Sequence, residues 1–94
     1  MTNQFEVSIK ERIKEGWKLL IDLNRGGDLY TYRVTLDEEF AKQLGPEETP
    51  EQLIRRSFDF LLAREGPEQI LAEFNLRDVK KYFPDFEDTM QKIG

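Results

Sequence analysis

The sequence predicts an α+β fold in which a three-stranded antiparallel β-meander is followed by three to four short helices packed on one face. Apolar and polar residues alternate up to residue 36, and this period of two is typical of half-buried strands. After residue 36 the apolar residues recur at helical spacing, between helix-capping and helix-breaking residues. We therefore expect a single α+β domain over residues 1–94, with the meander in 1–36 and the helical part in 37–94.

The second hairpin of the meander is the better specified one. Gly26-Gly27 is a favoured two-residue turn, because both central positions of a type I′ turn need a positive φ. This turn predicts a register in which every cross-strand pair on one face is apolar. The pairs are Leu23 with Tyr30, Ile21 with Tyr32, Leu19 with Val34 and Trp17 with Leu36.

The first hairpin is predicted with a three-residue loop, Lys14-Glu15-Gly16, in which Gly16 is left-handed. This loop pairs Ile13 with Trp17, Ile9 with Ile21 and Val7 with Leu23. It also leaves Glu11 opposite Leu19, a mismatch that a β-bulge relieves.

Helical signals follow from Asp37 onwards. Asp37 is a candidate N-cap for a helix that ends at Gly45-Pro46, and Thr49-Pro50-Glu51-Gln52 has the pattern of a capping box that starts a second, longer helix. The apolar residues of this second helix cover about half of its circumference, which predicts contacts on two sides. Shorter helices are expected around Ile70, Leu71 and Phe74, after Asn75, and after Pro84, where Phe86, Met90 and Ile93 form the apolar side.

Composition limits the chemistry of the chain. It contains no cysteine and no histidine, so thiolate and imidazole metal sites and Ser-His or Cys-His nucleophile pairs are absent. The carboxylate groups Asp37-Glu38-Glu39, Glu47-Glu48 and Asp85-Phe86-Glu87-Asp88 are best explained by the preference of helix first turns for negative charge. We expect no enzyme activity, no catalytic residue, no cofactor and no bound metal.

Charge and hydropathy constrain the partners and the compartment. The net charge of −5 divides into +1 over residues 1–36 and −6 over residues 37–94, which disfavours nucleic acid without excluding a local basic face. A signal peptide and a membrane-spanning run are not recognisable, so the expected location is the cytoplasm. Arg55 and Arg56 are expected to form exposed ion pairs with Asp59, one turn further along the same helix.

Two surfaces are candidates for binding. The first is the outward face of the meander, where the alternation places Thr31, Arg33 and Thr35 together with Lys10, Arg12 and Lys18. The simpler interpretation of this face is a solvated side of a sheet. The second is the aromatic segment Tyr82, Phe83 and Phe86 around Pro84, which predicts a partner surface if the rings are exposed and core packing if they are not.

A strand-like segment, Tyr30-Thr31-Tyr32-Arg33-Val34-Thr35-Leu36, runs into the helix start Asp37-Glu38-Glu39-Phe40, and the capping box Thr49-Pro50-Glu51-Gln52 follows. With these motifs, residues 30–65 resemble a ribbon-helix-helix repressor. This resemblance implies a dimer paired through its strands, with Thr31, Arg33 and Thr35 reading DNA bases and the amides at Thr49 to Glu51 contacting phosphate. The chain as a whole is similar to a family of small uncharacterised bacterial proteins with a Tyr82-Phe83-Pro84 segment near the end, a resemblance that implies no activity.

The acidic helical half, the wide apolar face of the second helix and the C-terminal aromatic residues together favour a non-enzymatic binding or regulatory module. The expected partner is a protein, or a second copy of the chain in a homodimer. The alternative is a ribbon-helix-helix-like transcriptional regulator or antitoxin that binds DNA.

Overall fold

The structure is a computed structural model that describes residues 4–92, and it has the predicted α+β architecture. Strands β1 (Phe5–Ile13), β2 (Gly16–Arg25) and β3 (Asp28–Asp37) form an antiparallel meander. Helices α1 (Glu38–Leu44), α2 (Pro50–Leu62) and α3 (Phe86–Lys92) follow it. Between α2 and α3 lie two 3₁₀ helices, Pro67–Gln69 and Leu76–Lys81, and a short strand β4 (Glu73–Asn75) that extends the sheet to the order β1-β2-β3-β4.

The register of β2 and β3 is the predicted one, with all four apolar pairs in place from Leu23 and Tyr30 to Trp17 and Leu36. Gly26 and Gly27 form the turn with φ values of 61° and 88°. Both values lie in the left-handed region that glycine adopts without strain. The sequence therefore specifies this hairpin through its turn and through its apolar face.

The predicted register of the first hairpin is wrong. Ile13 pairs with Gly16 across a turn at Lys14 and Glu15, and Ile9 pairs with Leu19 instead of Ile21. A bulge between Ile9 and Glu11 absorbs the mismatch, as expected, and moves Glu11 opposite Lys18. The positive-φ glycines do not include Gly16, which is required for space instead, because a Cβ there would meet the Leu36 carbonyl oxygen.

The helix predicted around Ile70, Leu71 and Phe74 is also wrong, since Phe74 lies in β4, which runs parallel to β3, and Ile70 and Leu71 precede this strand outside any helix. β4 pairs Glu73 with Arg33 and Phe74 with Val34. The amide of Arg33 donates to the Ala72 carbonyl oxygen at 2.7 Å. The edge of β3 offers unpaired backbone groups, and satisfying them outweighs the weak helical pattern of a segment this short.

The helices cover one face of the sheet, as predicted. Helix α2 contacts β1 as well as α1 and α3, and α1 contacts β2 and β3. Phe58 is at the centre of the core, with ring centroids 5.1 Å from Tyr32, 6.0 Å from Phe5 and 6.2 Å from Phe74. The core cluster joins residues of both halves of the chain.

The capping box at Thr49 is present. Its hydroxyl accepts from the Gln52 amide at 3.2 Å, and the Gln52 side chain accepts from the Thr49 amide at 2.9 Å. Asp37 occupies the N-cap position of α1, but its carboxylate accepts from Arg77 (2.5 Å) and Asn75 (3.4 Å) and makes no cap hydrogen bond.

The Asn75 side chain accepts from the Arg77 amide at 3.0 Å and so caps the second 3₁₀ helix. Helix α3 buries Phe86 and Met90, as predicted. Ile93, predicted on the same side, lies outside the described residues. Within residues 4–92, no helix has the length and hydropathy that crossing a membrane would require.

Candidate functional site

An open groove lies beside β4, with a volume of about 380 Å³, and we call it the β4 groove. The end of α2, the segment leading into β4 and the second 3₁₀ helix form its walls. The apolar residues that line it are Leu61, Ile70, Leu71, Phe74, Val79, Tyr82 and Phe83. Leu71 and Tyr82 are 60% and 69% exposed, which is unusual for large apolar side chains that lie close to one another.

The segment that carries Leu71 is held against the sheet by a buried hydrogen bond. The Tyr32 hydroxyl donates to the Pro67 carbonyl oxygen at 2.6 Å. Burial, together with the nearby Tyr30 and Glu68, raises the pKa of Tyr32 to about 12. The phenol therefore stays protonated and donates throughout the physiological pH range.

The three aromatic residues predicted as a partner surface lie in different environments. Tyr82 is exposed and Phe83 is half-buried, and both line the β4 groove. The Phe83 ring is fixed by an edge contact with Phe60 at 5.8 Å. Phe86 has no exposed surface and packs against Phe60 (5.1 Å) and Phe40 (6.4 Å), so it belongs to the core.

The rim of the β4 groove is acidic. Glu65, Glu73 and Asp78 line it together with a single cation, Lys81. The Lys81 ammonium is already 3.2 Å from an Asp78 carboxylate oxygen. Glu65 and Glu73 form no ion pair within residues 4–92. The carboxylate of Glu65 therefore remains available to a cationic group outside the chain, whereas Glu73 lies beside Arg33 in the sheet.

The outward face of the sheet brings Thr31, Arg33 and Thr35 into a row, as the alternation predicts. The Thr31 hydroxyl donates to Asp22 at 3.0 Å, and Arg33 is aligned with Glu73 of β4. Arg12 does not join this face. It lies opposite Trp17, with its guanidinium 4.6 Å from the indole centroid, and it donates to Glu38 at 2.8 Å. This hydrogen bond lowers the pKa of the Glu38 carboxyl.

Strand β3 is an interior strand. Along its whole length it pairs with β2, and from Arg33 to Thr35 it also pairs with β4. The two-stranded ribbon that the repressor resemblance implies needs a free edge at these residues. In this fold that edge is occupied, and the acidic neighbours Asp22 and Glu73 give the face a mixed charge.

Arg55 and Arg56 do not pair with Asp59, which corrects the expected ion-pair cluster. Arg55 donates to the Phe5 carbonyl oxygen at 3.1 Å. Arg56 donates from Nε to Glu48 and from Nη1 to the Met90 carbonyl oxygen, each at 2.8 Å, and its Nη2 also pairs with Glu48. Arg56 therefore joins the segment before α2 to α3.

The sequence predicts Tyr82 and Phe83, with Phe86, as a candidate partner surface, but it does not predict the groove. It places Leu71 and Phe74 on the apolar side of a helix. A three-residue strand is too short to show a period of two, so the pattern alone could not reveal that Leu71 precedes an edge strand.

Comparisons with protein-family models, curated proteins and solved structures give no match to this chain. Among the described residues there is also no group of three or more Asp, Glu, His or Cys side chains that could hold a metal ion. The geometry of the β4 groove is therefore the main basis for a functional proposal.

Proposed function

We propose that this protein is a cytoplasmic, non-enzymatic binding module that takes a segment of a partner protein in the β4 groove. The observation that carries the proposal is the pair of exposed side chains, Leu71 and Tyr82, in an open groove whose other apolar lining residues are half-buried or buried. Exposed apolar residues gathered around a concavity are typical of protein-binding sites.

The volume of the groove, about 380 Å³, is large enough for a bulky apolar side chain of the partner. Its lining includes the half-buried rings of Phe74 and Phe83, which are anchored to Phe58 and Phe60 in the core. These ring contacts restrain Phe74 and Phe83 before binding, which reduces the free energy spent on ordering them in a complex. A partner residue such as Leu, Phe or Trp can therefore act as the anchor of the complex.

The acidic rim selects the flanking residues of the partner. Glu65 favours Lys or Arg next to the apolar anchor, because opposite charges steer the encounter and fix the orientation. An acidic segment would meet like charge at the same position. We therefore expect a partner segment with a bulky apolar residue next to a basic residue.

The test is a selection of short random peptides displayed on phage, with the purified full chain as target. We expect enrichment of peptides that combine a bulky apolar residue with Lys or Arg. Each of Leu71→Ala and Tyr82→Ala should weaken their binding about tenfold or more, the usual cost of removing a hot-spot side chain.

The matched control is Leu29→Ala. Leu29 is 68% exposed, like Tyr82, but it lies at the start of β3, next to the Gly26-Gly27 turn. This variant should bind the selected peptides with unchanged affinity. Selection of no peptides, or of peptides that bind the Tyr82→Ala and Leu29→Ala variants equally well, would contradict the proposal.

A further inference from the structure

The edge of the sheet opposite β4 is formed by β1. This strand pairs with β2 along one side, and within residues 4–92 no strand pairs with its other side. An exposed strand edge presents a row of unpaired backbone donors and acceptors and is a template for pairing with another chain.

The register shows which backbone groups face this edge. Arg25 and Asp28 flank the two-residue turn, and such a pair exchanges both of its backbone hydrogen bonds. Backbone hydrogen bonds alternate between the two sides of a strand, so the odd-numbered residues of β2 bond to β3 and the even-numbered ones bond to β1. The β1 partners of Asp22 and Leu20 are Glu6 and Ser8. The N–H and C=O groups of Val7 and Ile9 therefore point to the free edge. The hydrogen bond from Arg55 to the Phe5 carbonyl oxygen agrees with this alternation.

The side chains of β1 are complementary to those of a second β1. On the helix-covered face, Ile9 is 40% exposed and Val7 is half-buried, so the core is incompletely covered at this edge. Glu6 and Lys10 are placed symmetrically about Ser8 in the sequence, Lys10 is the extra residue of the bulge between Ile9 and Glu11, and all three side chains are exposed. Glu6 has no cation opposite it in its own sheet, because its partner on β2 is Asp22.

We propose that two copies of the chain pair through β1, antiparallel and about a two-fold axis at Ser8. In this register Val7 lies opposite Ile9 of the partner subunit, and the reciprocal pair is identical. The outward-facing backbone groups of both residues are then satisfied. At the end of this contact Glu6 lies beside Lys10 of the partner subunit, the extra residue of the bulge, so the dimer contains this ion pair twice. A register moved by two residues loses both complementary pairs.

The structure also limits the pairing to a closed dimer. At one end of the contact the bulge between Ile9 and Glu11 bends β1 away from a straight ladder. At the other end Arg55 occupies the Phe5 carbonyl oxygen. The interface is isologous, which closes after two copies. The β4 grooves lie on the outer edges of the joined sheet, so this inference does not depend on the proposed peptide binding.

The test is the sedimentation velocity of the full chain and of two charge variants, Lys10→Glu and Glu6→Lys. The wild-type chain should sediment as a dimer. Each single variant places like charges opposite each other twice per dimer, so its dimer dissociation constant should rise about tenfold or more. The Glu6→Lys/Lys10→Glu double variant should restore the dimer, because it exchanges the two charges.

The control is Lys18→Glu, which changes a charge on the same face of β2 and should leave the dimer intact. Circular dichroism checks that each variant is folded. A monomeric wild-type chain at all concentrations, or a double variant that is as dissociated as the single ones, would overturn the proposed interface.

A second variant tests the register itself. Ser8 pairs with Ser8 of the partner subunit at a position without mutual hydrogen bonds, where Cα atoms are about 4.5 Å apart. This spacing allows a disulfide. Because the chain has no native cysteine, Ser8→Cys should give a disulfide-linked dimer on mild oxidation, whereas Thr31→Cys on β3 should remain unlinked. Equal cross-linking of the two variants would overturn the register.

Discussion

At the scale of single residues, Tyr32 connects the core of the sheet to the wall of the β4 groove. Its ring contacts Phe58, and its hydroxyl donates to Pro67, which precedes the groove segment. Tyr32 is one of four alternating apolar residues in β3, and the sequence pattern identified it only as a core residue. The hydrogen bond across 35 positions could not be read from the pattern, because it depends on where Pro67 returns to the sheet.

Removing the hydroxyl with Tyr32→Phe leaves the Pro67 carbonyl oxygen with only the longer hydrogen bond from the Ile70 amide, at 3.4 Å. We expect a loss of about 0.5–1.5 kcal/mol in the free energy of unfolding, measured by urea denaturation. The control is Tyr30→Phe, because the Tyr30 hydroxyl makes no side-chain hydrogen bond within the described residues. A loss of the same size in both variants would show that the bond to Pro67 contributes nothing specific.

The raised pKa of Tyr32 also predicts a pH dependence. Its pKa is about 12 in the folded chain against 10.0 for the free side chain. The unfolded chain therefore releases this proton first as the pH rises, and the folded state loses stability between pH 10 and about 12. Below pH 10 the contribution of Tyr32 is fully present. Urea denaturation at several alkaline pH values should show a decline that is smaller in Tyr32→Phe, and an equal decline would contradict this assignment.

At the scale of elements, the two hairpins differ in how much their sequences specify. The Gly26-Gly27 turn fixes its register through backbone conformation, and the four apolar pairs agree with it. The first hairpin has no such turn, and two arrangements fit its apolar pattern almost equally well. The close approach of Leu36 to Gly16 and the bulge after Ile9 belong to the observed arrangement, and both depend on β3 as well as on the hairpin itself.

Gly16→Ala tests this account of the first hairpin. A Cβ at this position would clash with the Leu36 carbonyl oxygen, so the backbone must move. We expect a destabilisation of about 1–3 kcal/mol, typical of overpacking, in urea denaturation. In the control Gly66→Ala, the new Cβ meets only the end of the Glu68 side chain, which can rotate away. A Gly16→Ala variant as stable as this control would contradict the account.

At the scale of the whole molecule, the α+β class and the helix positions at Thr49, Asn75 and Pro84 follow from local signals such as capping residues and prolines. β4 and the groove beside it could not be predicted, because they form where a segment after α2 meets the edge of β3. The contacts of Arg56 also could not be predicted from the sequence. Its local partner, Asp59, is one turn away, yet it binds Glu48 and the Met90 carbonyl oxygen, which only the folded chain brings together.

The proposed function places one binding surface at the β4 edge, and the proposed dimer uses the β1 edge. The two surfaces lie on opposite edges of the sheet, so a dimer presents two grooves facing away from each other. Such an arrangement binds two segments of one partner, or two partners, with a gain in apparent affinity when both grooves are engaged.

The central claim is that the β4 groove is the surface that binds a partner. The most direct test is a titration of the isotopically labelled full chain with a selected peptide, followed by NMR chemical-shift mapping. The account predicts that the shifted amides cluster at residues 69–83 and that the Tyr82→Ala variant loses the response. Shifts centred instead on Thr31, Arg33 and Thr35 would contradict it and would move the binding site to the outward face of the sheet.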